Sequence, residues 1–188
     1  METLTRAKYM VYIDVERCTG CRSCEIACAV EHSATKTLYG AVMEKPRPKP
    51  RIQVFKVEEL NVPMRCLHCA NAPCVQVCPV GAMHYTEEGL VVVDDIKCIG
   101  CSLCSLACPI GHPVVDSETG KAIKCDFCQD RLRRGLPPAC VEACPVNALV
   151  FGETEEVMEA VKRRGAEMFA KARLLSQEIL SKHPMFHV

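Results

Sequence analysis

The sequence contains no tryptophan, and phenylalanine and tyrosine together make up only 5% of its 188 residues. Large aromatic side chains supply much of the buried surface of an ordinary domain core. The apolar fraction is 49%, but it includes sixteen cysteines. A chain with so few large apolar side chains usually needs covalent cross-links or bound metal to hold a fold. The cysteines are therefore predicted to be structural as well as functional.

The sequence also lacks a long apolar run. None approaches the roughly 18–20 residues that cross a membrane, and the first fifteen residues lack the apolar stretch of a secretory signal. The charges in that segment are Glu2, Arg6, Lys8 and Asp14. We therefore expect a cytoplasmic chain with no direct membrane span. Disulfides are rare in that compartment, so thiols there are metal ligands by default.

The formal net charge is zero, which gives no indication of nucleic-acid binding. The sequence has no Gly-rich phosphate loop, no nucleotide fingerprint and no nucleophile–base pair. We expect a chain that binds no nucleic acid and has no catalytic residues of its own.

The cysteines fall into four quartets with the same outer spacing. In every quartet two residues separate the first pair and three separate the last pair. Quartets one and three follow C-x2-C-x2-C-x3-C, the ligand run of bacterial ferredoxins. The middle gap widens to four residues in quartet two and to eleven in quartet four. In order, the quartets are Cys18, Cys21, Cys24 and Cys28; Cys66, Cys69, Cys74 and Cys78; Cys98, Cys101, Cys104 and Cys108; and Cys125, Cys128, Cys140 and Cys144.

This spacing has a physical reason. Three cysteines in a tight loop surround three corners of one 4Fe–4S cluster, and the fourth lies across a helical turn and points to the other cluster of a pair. Proline follows the fourth cysteine in the last three quartets, at Pro79, Pro109 and Pro145, where it ends a helix. The pattern predicts four 4Fe–4S clusters. Zinc is the main alternative, but zinc sites use isolated C-x2-C pairs that close one tetrahedron.

The apolar pattern predicts short strands and helices of a β-α-β ferredoxin unit that occurs twice. Strands are predicted at Tyr9–Ile13, Ile52–Val57, Ala82–Tyr85, Leu90–Val93 and Leu149–Phe151. Short helices are predicted at Ser23–Glu31, Pro73–Val77, Ser102–Ala107 and near Asp126–Arg134.

Four stretches carry a resemblance to a known family: CTGCRSCEIACAVEHS, CLHCANAPCVQVCPVGAM, CIGCSLCSLACPIG and KCDFCQDRLRRGLPPACVEACPVNAL. The chain resembles the four-cluster ferredoxin-like electron-transfer subunits of anaerobic oxidoreductases. That family includes the iron–sulfur subunits of formate dehydrogenases, dimethyl sulfoxide reductase-type enzymes, carbon monoxide dehydrogenases and tungsten aldehyde oxidoreductases. Within it, Glu31–Ser33 and Lys45–Ile52 look most like the carbon monoxide dehydrogenase and aldehyde oxidoreductase branches.

The resemblance implies how the quartets share ligands. Quartets one and four form one pair, quartets two and three form the other, and the fourth cysteine of each quartet crosses to its partner. The ligand sets it implies are Cys18, Cys21, Cys24 and Cys144 (cluster A); Cys66, Cys69, Cys74 and Cys108 (cluster B); Cys98, Cys101, Cys104 and Cys78 (cluster C); and Cys125, Cys128, Cys140 and Cys28 (cluster D).

The implied fold is α+β, with two nested bacterial-ferredoxin-like domains related by pseudo-twofold symmetry and a long C-terminal helix. The outer domain would comprise residues 1–59 and 116–152, and the inserted domain residues 60–115. Residues 153–188 would form the helical extension, in which apolar residues recur at steps of three and four. Two interpretations of this helix stay open. It either packs across its own domains, or docks on a partner subunit or on a second copy through Glu153–Val188.

The implied function is single-electron transfer along the four clusters. The electrons would pass between a catalytic subunit and a second redox partner such as a hydrogenase, a ferredoxin or a nucleotide-reducing subunit. The catalytic subunit would be a carbon monoxide dehydrogenase, or a tungsten or molybdenum oxidoreductase acting on aldehyde or formate. The alternative is a free-standing soluble polyferredoxin that diffuses between enzymes.

A few other residues have two interpretations. His68 is not needed as a ligand, because its quartet is complete, but it could donate a hydrogen bond to a cluster sulfur. His32 and His112 are interpreted as loop residues. The basic segment Glu44–Arg51 is either a docking arm or a connector between the two ferredoxin halves. The arginines of the quartet-four insertion are interpreted as offsetting cluster charge; they are Arg131, Arg133 and Arg134.

Overall fold

The computed structural model describes the backbone of residues 7–182 and the side chains of residues 7–174. The helices are α1 (Ser23–Glu31), α2 (Leu38–Met43), α3 (Pro73–Gln76), α4 (Leu103–Ala107), α5 (Gln129–Arg133), α6 (Ala139–Glu142) and α7 (Thr154–Lys182). The strands are β1 (Tyr9–Ile13), β2 (Ile52–Val57), β3 (Leu60–Arg65), β4 (Met83–Tyr85), β5 (Val91–Val93), β6 (Val114–Val115), β7 (Ala122–Ile123) and β8 (Leu149–Glu153). The prediction of a small α+β fold is confirmed.

The strands form four separate antiparallel pairs in the described part of the chain. Three pairs join neighbouring strands, as β2–β3, β4–β5 and β6–β7. The fourth joins β1 to β8, so that Tyr9 lies opposite Glu153 and Ile13 opposite Leu149. This pairing brings the sequence around quartet one next to the sequence around quartet four.

The predicted strands and the helix Ser23–Glu31 lie where the apolar pattern placed them, with ends that differ by at most two residues. The other predicted helices are present but shorter. Five elements were not predicted: α2, β3, α6 and the two strands of the β6–β7 hairpin. Strand β3 contains Pro63, whose missing N–H confines it to a strand with a free edge, and a two-stranded ribbon offers such an edge.

The buried apolar residues divide into two cores. The first core lies between β1, α1, β2 and β8 and contains Val11, Cys24, Cys28, Ile52, Val54, Leu90, Phe127, Cys140 and Leu149. The second core lies between β4, β5 and the helices of quartets two and three; it contains Ala72, Cys74, Ala82, Met83, Val91, Cys98, Cys104 and Ala122. Cysteines contribute to both cores. The cores therefore contain sulfur atoms of residues that were predicted to be metal ligands.

Within residues 154–174, the part of α7 whose side chains the structure describes, only the beginning of the helix contacts the ferredoxin-like body. Val157 is buried, and Arg164 forms ion pairs with Asp14 and Glu16. From Gly165 to Leu174 every side chain is exposed. The interpretation that the described part of α7 packs across its own domains is therefore wrong beyond its first three turns. No helix among residues 7–182 is both long and apolar enough to cross a membrane.

Candidate iron–sulfur centre

Each quartet has its cysteines in a loop and on the short helix that follows it. Helix α1 carries Cys24 and Cys28, and one cysteine lies on each of α3, α4 and α6. All sixteen carry free thiols. Only Cys21 and Cys101 are exposed, and the rest are buried or half-buried. The thiols therefore face the interior, where thiolate ligands are shielded from water.

Helix α1, which carries the last cysteine of quartet one, packs against α6, which carries Cys140, the third cysteine of quartet four. Burial raises the pKa of the Cys28 thiol, and the charges of the nearby Cys125, Cys140 and Cys128 raise it further. The Cys28 thiol therefore lies among three cysteines of another quartet. A thiol in such surroundings releases its proton when a metal cation binds.

Cys24, one helical turn earlier, has different neighbours. Burial raises its pKa to about 11, and Cys144 and Cys18 are among the charges that add to the effect. Helix α1 thus directs two cysteines toward two different groups of thiols. A spacing of four residues allows the two thiols to reach different groups, because Cys28 lies slightly more than one helical turn beyond Cys24 along the helix.

The second core shows the corresponding arrangement, in which helices α3 and α4 pack together. Burial raises the pKa of Cys74 to about 11, and its neighbours Cys66, Cys108 and Cys104 contribute. Cys66 belongs to the same quartet as Cys74, whereas Cys108 and Cys104 belong to the next one. Quartets two and three therefore approach each other as quartets one and four do.

Backbone N–H groups donate to several of the sulfurs. The fourth cysteines of three quartets accept such bonds: Cys28 from Arg51 N at 3.2 Å, Cys78 from Met83 N at 3.5 Å and Cys144 from Ala148 N at 3.2 Å. Ala122 N donates to Cys98 at 3.3 Å. Hydrogen bonds to sulfur stabilise the thiolate and tune the potential of an iron–sulfur cluster.

The loop of quartet three depends on a glycine. Gly100 has a φ of +70°, and a Cβ at this position would lie 2.2 Å from the Gly120 carbonyl oxygen. Gly81 also has a positive φ, +62°, but has free space around it. We expect Gly100→Ala to abolish iron binding by quartet three, because backbone would have to move to relieve the clash. Gly81→Ala should cost only the strain of the left-handed conformation, about 1–2 kcal/mol.

Iron content and thermal midpoint of the two variants, purified anaerobically, measure this difference. Equal iron content in Gly100→Ala and Gly81→Ala would show that the close approach of Gly100 to Gly120 is not required for the site.

A polar network beside quartet four was not predicted from the sequence. The His32 ring contacts the Asp126 carboxylate at 3.0 Å through Nε2 and the Cys28 carbonyl oxygen at 2.7 Å through Nδ1. Asp126 also accepts from Arg51 at 2.7 Å and from the Cys128 N–H at 2.9 Å. His32 is therefore not a free loop residue. It ends α1 and ties that helix to the loop that carries quartet four.

A pair of buried cations was also missed. Arg65 and Lys124 are 4% and 2% exposed. Arg65 Nη2 donates to Cys125 Sγ at 3.6 Å, and the guanidinium lies 4.4 Å from the centre of the Phe127 ring. Burial acts to lower the pKa of Arg65, but the charges of Cys125 and the neighbouring Cys140 outweigh it and raise the pKa. Among the described residues, neither cation has a carboxylate within ion-pair distance.

Two histidines lie beside Arg65 and Lys124, and burial there disfavours the charged form of each ring. Burial, together with the charges of Lys124 and Arg65, lowers the pKa of His68 well below its usual value and that of His112 to about 4. His68 Nδ1 accepts from Val91 N at 3.1 Å, and the backbone N–H of His68 donates to Cys66 Sγ at 3.5 Å. His112 Nε2 accepts from Cys125 N at 3.2 Å. The bond to sulfur predicted for His68 is thus made by its backbone, not by its ring.

The basic segment Glu44–Arg51 behaves as a connector at its C-terminal end. Lys49 pairs with Asp116, and Arg51 pairs with Asp126. Arg131, interpreted from the sequence as offsetting cluster charge, instead pairs with Glu31 at 3.4 Å and Glu142 at 2.5 Å. These contacts hold the two sides of the first core together.

The ligand atoms that the chain offers indicate which metal group fits the site. Sixteen thiols, converging from different quartets and accepting N–H bonds, suit soft metal ions. The buried cations indicate that an anionic group lies beside them, because an unpaired charge inside a protein is costly. A 4Fe–4S cluster with four thiolates is an anion, and clusters at quartets two and four would supply the missing negative charge beside Arg65 and Lys124. The residues fit 4Fe–4S clusters.

Fold and cysteine geometry together define an iron–sulfur protein of the ferredoxin type. Residues 57–154 match a 4Fe-4S dicluster domain family, and residues 17–82 match a second 4Fe-4S dicluster domain model. The protein belongs to the 4Fe-4S dicluster domain family. The matched segments together contain all sixteen cysteines.

Three relatives are similar over most of this chain. An iron–sulfur protein of Rhodospirillum rubrum is 37% identical over 87% of this chain and 92% of its own length. An anaerobic dimethyl sulfoxide reductase component of Escherichia coli is 39% identical over 80% of this chain and 76% of its own length. A tetrathionate reductase component of Salmonella typhimurium is 39% identical over 151 residues, which are 80% of this chain and 60% of the relative.

These similarities confirm the prediction of an iron–sulfur electron-transfer protein related to subunits of anaerobic oxidoreductases. The prediction of 4Fe–4S cofactors is confirmed as to their type.

Proposed function

We propose that this chain relays single electrons along four 4Fe–4S clusters inside an oxidoreductase complex, and that its partner performs the bond chemistry. The observation that carries the proposal is the convergence of cysteines from different quartets on shared groups, as Cys28 does with Cys125, Cys128 and Cys140. When bound, the clusters supply one-electron redox chemistry. The chain positions them, excludes water and sets their potentials.

The proposal includes the crossed pairing for clusters A to D. Cys28 lies among the quartet-four thiols, Cys24 lies near Cys18 and Cys144, and Cys74 lies near Cys66 and Cys108. These neighbours support the ligand sets that the resemblance implies for clusters D, A and B. Cluster C would then take the three remaining cysteines of quartet three together with Cys78.

We propose an order for the clusters from the thiols that are neighbours. Cys140 of cluster D lies near Cys24 of cluster A, and Cys66 of cluster B lies near Cys125 of cluster D. This supports the order A, D, B, C. Cluster D would have four buried cysteines, whereas the exposed Cys21 and Cys101 belong to the outer clusters A and C. Electrons would enter at one of these ends and leave at the other.

We also propose the nested arrangement of two ferredoxin-like domains. The β1–β8 pair and the α1–α6 contact support an outer domain made from both ends of the cluster region. Residues 116–123 fit the inner domain better, since β7 pairs with β6 and Ala122 lies in the second core. The outer domain would then resume at Lys124 instead of residue 116.

For the partner, we propose the catalytic subunit of an anaerobic oxidoreductase. The relatives named as parts of tetrathionate and dimethyl sulfoxide reductases support a reductase-type partner. The partners expected from the sequence, a carbon monoxide dehydrogenase or an aldehyde or formate oxidoreductase, rest on the resemblance of Glu31–Ser33 and Lys45–Ile52 alone. The proposed cytoplasmic site rests on the sequence alone, because sixteen cysteines spaced as metal ligands are typical of a reducing compartment.

Helix α7 is the proposed contact with a partner subunit. Its described part exposes Met168, Phe169 and Leu174, and Phe169 is 77% exposed. Ending the chain after Gly165 removes these side chains but no cysteine. We expect the truncated chain to keep its full iron content while losing its partner, because the cluster ligands all lie outside α7.

Anaerobic affinity purification followed by native mass measurement tests the proposed function. The full chain should copurify with a redox subunit, and adding that subunit's electron donor should bleach the cluster absorbance. A full chain that purifies as a loaded monomer favours the free-standing polyferredoxin. An unchanged assembly size after truncation at Gly165 contradicts the role proposed for α7.

A further inference from the structure

A cation immediately precedes the first cysteine of every quartet: Arg17, Arg65, Lys97 and Lys124. The four occupy the same position in the repeat but not the same environment. The side chains of Arg17 and Lys97 are 58% and 61% exposed. Arg65 and Lys124 are 4% and 2% exposed. The exposed pair precedes quartets one and three, and the buried pair precedes quartets two and four.

The exposed pair has carboxylate partners. Arg17 lies 3.4 Å from Asp14, and Lys97 lies 3.4 Å from Asp94, in each case three residues earlier in the sequence. The corresponding residues before the buried pair are Val62 and Lys121, so this partner is missing there. Solvent and the aspartates therefore screen Arg17 and Lys97 but not Arg65 and Lys124.

The side chains of Arg65 and Lys124 contact Cys125, a proposed ligand of an inner cluster. Arg65 Nη2 donates to Cys125 Sγ at 3.6 Å, while its Nε has no hydrogen-bond partner within the described part of the molecule. Lys124 Nζ donates to the Cys125 carbonyl oxygen at 2.6 Å and to the Val91 carbonyl oxygen. Both charges are held by packing at the junction of the two cores, beside ligands proposed for clusters D and B.

We propose that Arg65 and Lys124 set the reduction potentials of the two inner clusters, whereas Arg17 and Lys97 leave the outer clusters nearly unaffected. This inference rests on the proposed function, since it assumes the clusters and their order. The step concerned is the gain of one electron by an inner cluster from its neighbour, which is oxidised as it gives that electron up. The step as written moves one electron and no proton. A fixed positive charge in a site without water favours the added electron.

Redox titration of the loaded full-length chain, followed by electron paramagnetic resonance, tests the proposal with four matched variants. Arg65→Gln and Lys124→Gln should each disfavour reduction of one inner cluster at least tenfold, which lowers its potential by about 59 mV for one electron. Arg17→Gln and Lys97→Gln remove a cation at the same repeat position and should change the reduction equilibrium of every cluster by less than threefold.

Arg65→Lys distinguishes the effect of the positive charge from that of the guanidinium shape, because it keeps the charge and changes the contact with Cys125. Its reduction equilibria should stay within threefold of the unmodified protein. Loss of clusters from Arg65→Gln but not from Arg65→Lys also supports the proposal, because both variants lose the guanidinium and only the glutamine loses the charge. The proposal is overturned by equal shifts in all four glutamine variants, by no shift in any, or by cluster loss or a tenfold shift in Arg65→Lys. An unmodified chain that takes up no iron instead overturns the proposed function.

Discussion

Removal of iron from the purified chain is expected to unfold both ferredoxin-like halves. The second core consists mainly of cysteine and alanine, with Met83 and Val91 as its larger apolar members. The first core has more large side chains, but Cys24, Cys28 and Cys140 are part of it. Structural metal sites in small zinc domains contribute about 10–16 kcal/mol of folding free energy. An ordinary domain has a net stability of about 5–15 kcal/mol, so the contribution of bound metal is as large as the whole net stability of such a domain.

The strands offer little independent support. All four sheets in the described part of the chain are two-stranded, and an isolated two-stranded hairpin is marginal in water. Without clusters, the charges of Arg65 and Lys124 would also be buried with no anion beside them. These residues therefore oppose folding of the metal-free chain.

Far-ultraviolet circular dichroism and thermal unfolding before and after anaerobic chelation measure the effect. The thiols are kept reduced, so that disulfides do not replace the metal. The control is reconstitution with iron and sulfide, which should restore the spectrum and the transition. An iron-free chain that keeps its cooperative transition at the same temperature would show that the cores fold without clusters.

Serine substitution of two cysteines on one helix is expected to affect two different clusters. Cys24 and Cys28 both lie on α1, but Cys24 has Cys18 and Cys144 nearby, whereas Cys28 lies among the quartet-four thiols. Cys28→Ser should therefore remove the same redox-titrated resonance signal as Cys125→Ser. Each variant should lose about one quarter of its iron, or somewhat less where a three-iron cluster survives.

The matched control uses the cluster held by the start of quartet one. Cys24→Ser should remove the same signal as Cys18→Ser, and Cys144→Ser should behave likewise although it lies in quartet four. If Cys28→Ser and Cys24→Ser remove one and the same signal, each quartet holds its own cluster and the crossed pairing is wrong.

Much of the site could be predicted from sequence because iron–sulfur ligation is local. Three ligands within one short loop leave a spacing that insertions in quartets two and four do not obscure. The strands Tyr9–Ile13 and Ile52–Val57 were also visible, since β-branched and aromatic residues cluster there. The partner of β1 could not be predicted, because β1 pairs with β8 across most of the chain.

The buried charges were the least predictable part. Arg65 and Lys124 look like ordinary surface cations in the sequence, as Arg17 and Lys97 are in the structure. Packing around the junction of the two cores buries Arg65 and Lys124 and leaves Arg17 and Lys97 in water. This difference depends on the packing and is not visible in the sequence. The same holds for His32, whose partner Asp126 is 94 residues away.

The number and type of clusters is the central claim, and the most direct test is iron and sulfide analysis of the anaerobically purified chain with a dithionite titration. We expect about sixteen iron atoms and about sixteen sulfides per chain, with broad absorbance near 400 nm that bleaches on reduction. A colourless protein that contains zinc, or one whose iron corresponds to fewer than four clusters after full reconstitution, would contradict it.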